Sequence, residues 1–266
     1  MRLGRRAWLA QALEPLEDRH GAAALARVRR ALAIYLREES AQATDPRQQP
    51  TFLWVPDLPP TPILECGLFD WIDALESATD AIRGELQALL PDDAGRERVF
   101  DSTALERENL RGTRGAPDWS GYYFYRHGER REDNCARCPA TAQALDAVPL
   151  SRVRGHGPEV LFSVFAPGTH LLPHRGVTNT RLVGHLPLIV PADCALRVGD
   201  RLHVWQEGEV VVFDDTYEHE AWNRSGETRV VLIFDVWNPH LTALERSALA
   251  ELVPAIGEFR AAVDAA

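Results

Sequence analysis

Three histidines, His170, His174 and His185, fall within the sixteen residues HLLPHRGVTNTRLVGH of a chain that has nine in all. A fourth, His219, follows in FDDTYEHEAW. Neutral imidazole binds first-row metals through a ring nitrogen, so His174 and His219, brought together from distant strands, could hold Fe(II) and leave coordination positions open. The competing reading is a set of histidines satisfied by local hydrogen bonds. The usual non-haem iron triad adds a carboxylate two residues after its first histidine, whereas this chain reads His174-Arg175-Gly176. Either there is no metal or water takes that position.

Asp214 and Asp215 lie close to His219 and could replace the missing carboxylate; for Asp215, orienting a histidine or a metal-bound water is the preferred role. Ser163, eleven residues before His174, and Arg229, ten after His219, combine a hydroxyl with a guanidinium fork. That combination suits one carboxylate of a dicarboxylate cosubstrate. Arg229 could instead form a strand salt bridge. A buried guanidinium needs a carboxylate partner in either case. His170 is expected to support the turn before His174.

The elements that must position these residues are short strands. VLFSVF (160–165), RLVGHLPLIV (181–190), ALRVG and RLHVW on either side of Asp200, EVVVFDD (209–215) and TRVVLIFDVW (228–237) are rich in β-branched and aromatic residues and separated by turn signals. They predict an antiparallel sandwich or barrel with the histidines at strand ends and loops. Before them, apolar residues at helical spacing predict helices over 22–40 and over 68–90, the second stopped by Pro91. VPDLPPTP and ERENLRGTRGAPDW read as loops.

With 266 residues, 45% of them hydrophobic, the chain can bury a substantial core. Its net charge of −10 disfavours nucleic acid and anionic membrane as partners. No apolar run is long enough to span a bilayer, so no membrane anchor is expected. Four cysteines without a dense pairing pattern, and a start lacking a signal-peptide core, predict a reduced, cytoplasmic setting. Cys135 and Cys138 form a CxxC, but no second close pair exists to complete a zinc site, and they read as ordinary loop cysteines.

APGTHLLPHRGVTNTRLVGHLPLIVP, VWQEGEVVVFDDTYEHEAWN and TRVVLIFDVWNP together resemble the aspartyl/asparaginyl β-hydroxylase family of 2-oxoglutarate- and Fe(II)-dependent oxygenases, including its HxG in place of HxD. Weaker similarity extends back to Trp119. The resemblance implies a mainly β fold with flanking helices around a double-stranded β-helix, a jelly-roll and cupin-like core, over 119–245. Residues 1–118 would form a helical and loop extension and 246–266 a C-terminal helix. It further implies His174 and His219 as iron ligands, Ser163, His185 and Arg229 as the 2-oxoglutarate site, and Arg181 facing an acidic substrate. Arg130 and Arg131 could join Arg181 in an anion site. Val183 stands where relatives carry another cosubstrate arginine, and Asn238 interrupts their DxWHP pattern.

The expected activity is hydroxylation, with molecular oxygen, of an aspartyl or asparaginyl β-carbon in a peptide or small acidic amino-acid-derived substrate. A halogenase using the vacant iron position, or a non-catalytic metal- or ligand-binding barrel, are the competing functions.

Overall fold

The computed structural model describes residues 4–91, 95–100 and 102–264. Its helices are α1 (Arg5–Gln11), α2 (Glu14–His20), α3 (Ala26–Tyr35), α4 (Ile72–Ser77), α5 (Thr79–Leu89), α6 (Thr103–Asn109), α7 (Glu132–Arg137), α8 (Pro139–Asp146) and α9 (Ala243–Asp264). Its strands begin with β1 (Arg96–Arg98), β2 (Leu110–Gly112), β3 (Trp119–Arg126) and β4 (Glu129–Arg130). Eight more follow: β5 (Val160–Phe165), β6 (Thr169–His174), β7 (Arg181–Ile189), β8 (Cys194–Val198), β9 (Arg201–His203), β10 (Val211–Phe213), β11 (His219–Asn223) and β12 (Arg229–Trp237).

The strands form two sheets, ordered β1-β3-β5-β12-β7-β10, with β4 beside β3, and β2-β6-β11-β8-β9. Every pairing within them is antiparallel. Counted from β5, the last eight strands run 1-8-3-6 in the larger sheet and 2-7-4-5 in the smaller. That interleaving is the jelly roll, or double-stranded β-helix, expected from the sequence.

Side chains alternate across a strand, so each strand of the larger sheet serves two cores. Phe162, Val164, Leu186, Leu232 and Phe234 pack outward against Trp71, Ile72 and Leu75 around α4, Ile82 and Leu86 of α5, and Leu145 of α8. Their neighbours face the smaller sheet, where Phe165, Val183 and Phe213 meet Leu171, Leu196 and Ala221. Phe234 crosses Gly184 on the adjacent strand so closely that a Cβ there would come within 2.2 Å of its ring. Trp71 meets the same ring edge-on at 5.6 Å. A third cluster joins α1 and α3 to α9.

The helix expected over 68–90 is divided. The chain turns through a 3₁₀ segment at Cys66–Leu68, and α4 ends at Ala78 before α5 begins. The helix expected over 22–40 starts as 3₁₀ and ends at Tyr35, with Arg37 in the left-handed region at φ 63°. ERENLRG is not a loop: it holds the end of α6, whose Ser102 cap accepts from Leu105 N, and β2, which pairs with β6. Cys135 and Cys138 are not loop thiols either. They are buried at α7 under the larger sheet, and burial pushes the Cys138 thiol up to about 12. Among the described residues, no helix is long and apolar enough to cross a membrane.

Phe162 is wholly buried at the centre of the outward core. Phe162→Ala is expected to cost about 3–5 kcal/mol through lost transfer energy and a residual cavity. Urea unfolding checks this, and a loss below about 1 kcal/mol would place the core elsewhere.

Candidate metal centre and anion pocket

β6 ends on His174 and β11 begins on His219, and their pairing sets the two residues opposite each other. The rings lie 4.0 Å apart between centroids, tilted by 52°. Each Nδ1 meets a carbonyl two residues back, His174 that of Leu172 at 2.8 Å and His219 that of Tyr217 at 3.0 Å. Donation there places the proton on Nδ1 and the lone pair on Nε2. Burial lowers both pKa values, that of His219 to about 4 with the neighbouring His174 adding to the effect. Oriented, neutral imidazoles are the form that binds a metal. Among the described residues, no group of three or more His, Cys, Asp or Glu side chains is arranged to hold a metal, and the imidazole donors that face each other here are two, His174 and His219.

Gly176 has a steric role as well. Its N–H donates to the Asp215 carbonyl at 2.6 Å, and a Cβ built on it would lie 2.1–2.2 Å from the Asp215 carboxylate atoms. The carboxylate therefore fills the space that any side chain at position 176 would need. Asp215 is buried; Oδ2 lies 3.1 Å from Arg181 NH1, and Oδ1 has no hydrogen-bond partner. Asp214 does different work. It accepts from Thr216 N at 2.9 Å and from Gln48 Nε2 at 2.6 Å, tying down the loop before His219, and burial raises its pKa to about 6.

Arg229, at the start of β12, is almost wholly buried between the rings of Phe165 and Trp205, 3.9 and 4.7 Å from their centroids. NH1 donates to Ser163 O and Oγ, both at 3.3 Å, and Nε has no partner. Among the described residues no carboxylate pairs with this guanidinium, and burial pushes it down to about 9. Ser163 Oγ accepts from Trp119 Nε1 at 2.9 Å as well as from Arg229, so both lone pairs are engaged and its proton is left to donate. His185 Nδ1 is buried without a partner, and burial followed by the Arg229 charge holds this imidazole well below its usual range. Arg229 Nε and His185 Nδ1 are thus buried polar atoms without partners on one side of the chamber.

At the opposite end, Arg181 NH1 lies 3.1 Å from Asp215 Oδ2 and 3.2 Å from Asp235 Oδ1. One chamber of about 420 Å³ joins both ends and the facing histidines His174 and His219. Ser163, His174, Arg181, His185, Asp215, His219 and Arg229 all line it. Arg130 and Arg131 are not among its lining residues: Arg130 pairs with Glu132 at the surface, and Arg131 precedes α7. His170 lies on another face and holds Glu220 of β11 at 2.7 Å rather than supporting a turn.

Sequence reading did not single out Glu159, Asp235, Trp205 or the indole of Trp119. Strand alternation carries the signal for the first two. Glu159, Leu161, Ser163 and Phe165 share one parity, as do Arg229, Ile233 and Asp235, and all line the chamber.

The fold and site define a jelly-roll protein with a candidate two-histidine metal centre and an anion pocket between its sheets. Residues 76–239 match the family described as Aspartyl/Asparaginyl beta-hydroxylase, and the chain belongs to that family. It is 36% identical over 186 residues to the human aspartyl/asparaginyl beta-hydroxylase, covering 70% of this chain and 23% of that protein. It is 35% identical over 181 residues to an ornithine lipid ester-linked acyl 2-hydroxylase of Rhizobium tropici, covering 67% of this chain and 61% of the relative. The chain thus spans less than two thirds of either relative. A solved Pseudomonas putida prolyl-4-hydroxylase is similar at 14% identity and a TM-score of 0.35, over 63% of this chain and 98% of that one.

Gly176→Ala is expected to destabilise the fold by about 1–3 kcal/mol, the usual cost of overpacking. In an Asp215→Ala background most of that cost should vanish. A double-mutant cycle in denaturant measures it; equal costs in the two backgrounds would mean that Asp215 does not occupy the space.

Proposed function

We propose that the chain is an Fe(II)- and 2-oxoglutarate-dependent dioxygenase that hydroxylates an aspartyl or asparaginyl β-carbon, or a similar acidic amino-acid-derived substrate. The observation that carries this reading is Arg229, a buried cation with no carboxylate partner among the described residues, beside the Ser163 hydroxyl and an imidazole nitrogen of His185 that has no partner. A buried guanidinium without a counter-charge is costly, and a dicarboxylate cosubstrate would supply the missing anion. His174 and His219 would hold the iron. Bound Fe(II) with 2-oxoglutarate supplies the activation of dioxygen.

The chain's own residues do the rest. Arg229, Ser163 and His185 grip the cosubstrate. The Leu172 and Tyr217 carbonyls fix the imidazole tautomers. Asp215 Oδ1 is available to accept from a water beside the histidines. The apolar walls of Leu171, Val183 and Phe213 limit water around the reacting carbon. A halide beside the metal would sit against the Asp215 carboxylate, and like charges at that distance favour hydroxylation over halogenation. We further propose residues 119–245 as the oxygenase core, braced by the preceding and following helices, and a reducing cytoplasmic setting for the unpaired cysteines.

An anaerobic titration with Fe(II) and 2-oxoglutarate, followed through the charge-transfer band of their complex, tests the metal and cosubstrate together. His174→Ala and His219→Ala are each expected to abolish the band while circular dichroism stays unchanged. Iron binding retained in either variant would remove the assignment. Arg229→Ala should raise the 2-oxoglutarate requirement at least about tenfold, since a charged hydrogen bond contributes about 1.5–3 kcal/mol. An unchanged requirement would make Arg229 structural. Product mass then separates hydroxylation, halogenation and no turnover.

A further inference from the structure

The two ends of the chamber lack opposite things. Arg229 and Asp235 lie six residues apart on β12, about 20 Å at the usual strand rise. Around Arg229 a cation has no anion. Around Asp235 the balance is reversed. The charged side chains lining that outer end are Arg126 and Arg181 against Glu159, Asp215 and Asp235. Arg126 is also paired with Glu97. The single charge of Arg181 is shared between two buried carboxylates, and both contacts fall on NH1, one of several donors on the guanidinium.

These carboxylates are held in place. Glu159 N donates to Asp235 Oδ2 at 3.0 Å, and Asp235 N donates to Glu159 O at 3.1 Å. Glu159 Oε1 accepts from His127 N at 2.5 Å and lies 3.1 Å from His127 Nδ1, at a residue in the left-handed region with φ 52° that also lines the chamber. Burial raises the pKa values of both Glu159 and Asp235, and at Glu159 the Asp235 charge adds to it. Buried Asp215 Oδ1 faces the same chamber unpartnered.

We propose that this outer end binds an unblocked ammonium group, with Glu159 and Asp235 as its carboxylates and Arg181 as donor to the acidic or carboxamide group beside it. The substrate is then a free amino acid or the N-terminal residue of a peptide, not an internal residue. This rests on the hydroxylase reading above and narrows its substrate. An internal residue would bring a neutral amide to the same place and leave Arg181 alone to balance Asp215 and Asp235. A volume of about 420 Å³, shared with a cosubstrate, is also small for a ligand pocket.

The test uses the iron-loaded protein with 2-oxoglutarate and oxygen. The probes are L-aspartate, L-asparagine, a peptide beginning with aspartate, the N-acetylated form of each, and a peptide with aspartate inside. Gain of one oxygen is read by mass, and the iron–2-oxoglutarate band is recorded in the same samples. The free amines are expected to react, with N-acetylation lowering kcat/KM at least about tenfold, the loss of one charge-assisted contact. Free amino acid against N-terminal peptide then tells which source is used.

Glu159→Gln, which keeps an oxygen for His127, should raise KM for the free amine about tenfold with kcat little changed. It should leave the acetylated probe unaffected, and Asp235→Asn should act in the same direction. Equal or better turnover of blocked or internal residues, no oxidation of any free amine, or an unchanged KM in both variants overturns the proposal. Where the band forms nonetheless, the dioxygenase reading stands and only the ammonium site falls. Where no band forms, it is the dioxygenase reading that fails.

Discussion

Strands β6 and β11 meet with His174 opposite His219, and the approach of the two imidazoles depends on that register. A one-residue slip would turn a strand's side chains to the other face and separate the two imidazoles. The pairing is secured from both sides, since β11 also pairs with β8 from His219 to Asn223, and β6 with β2. The bulge between His219 and Ala221 in the β6 pairing confines the irregularity to the histidine end. Asn223, buried at the far end, accepts from Cys194 Sγ and donates to the Glu227 carbonyl, closing the turn into β12. The histidine pair is thus clamped by backbone on strands, which holds side chains more precisely than loops do.

Between this clamp and the larger sheet, charge is distributed unevenly along a single cavity. One end holds a guanidinium flanked by two aromatic faces, which stabilise a cation without cancelling its charge. The other end holds a guanidinium set between carboxylates. Two arginines of the same sheet thereby acquire different chemistry. Arg229 is poised to attract an anion, whereas Arg181 is ion-paired with Asp215 and Asp235.

Much of this was legible in the sequence. β5 and β12 match the runs VLFSVF and RVVLIFDVW because β-branched and aromatic residues on a two-faced sheet leave little ambiguity. The histidine pair and Arg229 stood out by residue type and by the motifs around them. The strands that carry the histidines did not, since THLLPH and HEAWN mix polar residues into short stretches. The division between α4 and α5 was hidden because the apolar spacing runs through Ala78, where the break follows from packing against the sheet. Arg130 and Arg131 were expected to join Arg181 in an anion site, but they lie outside the chamber, and of the β3–β4 hairpin's arginines it is Arg126 that lines it. The relation between Gly176 and Asp215 links residues thirty-nine positions apart and exists only once the chain is folded.

The outer helical layer and the anion pocket share a rigid part. Phe234 lies flat across Gly184 because that residue has no side chain, and Trp71 braces the ring from the helical side. The next residue along β7 is His185, whose ring enters the chamber. The peptide that precedes His185 is therefore pinned from the helical side of the sheet by two aromatic rings that meet edge to face. Loosening at Trp71, a core residue on the helical side of the sheet, would reach the His185 end of the chamber through one ring and one peptide.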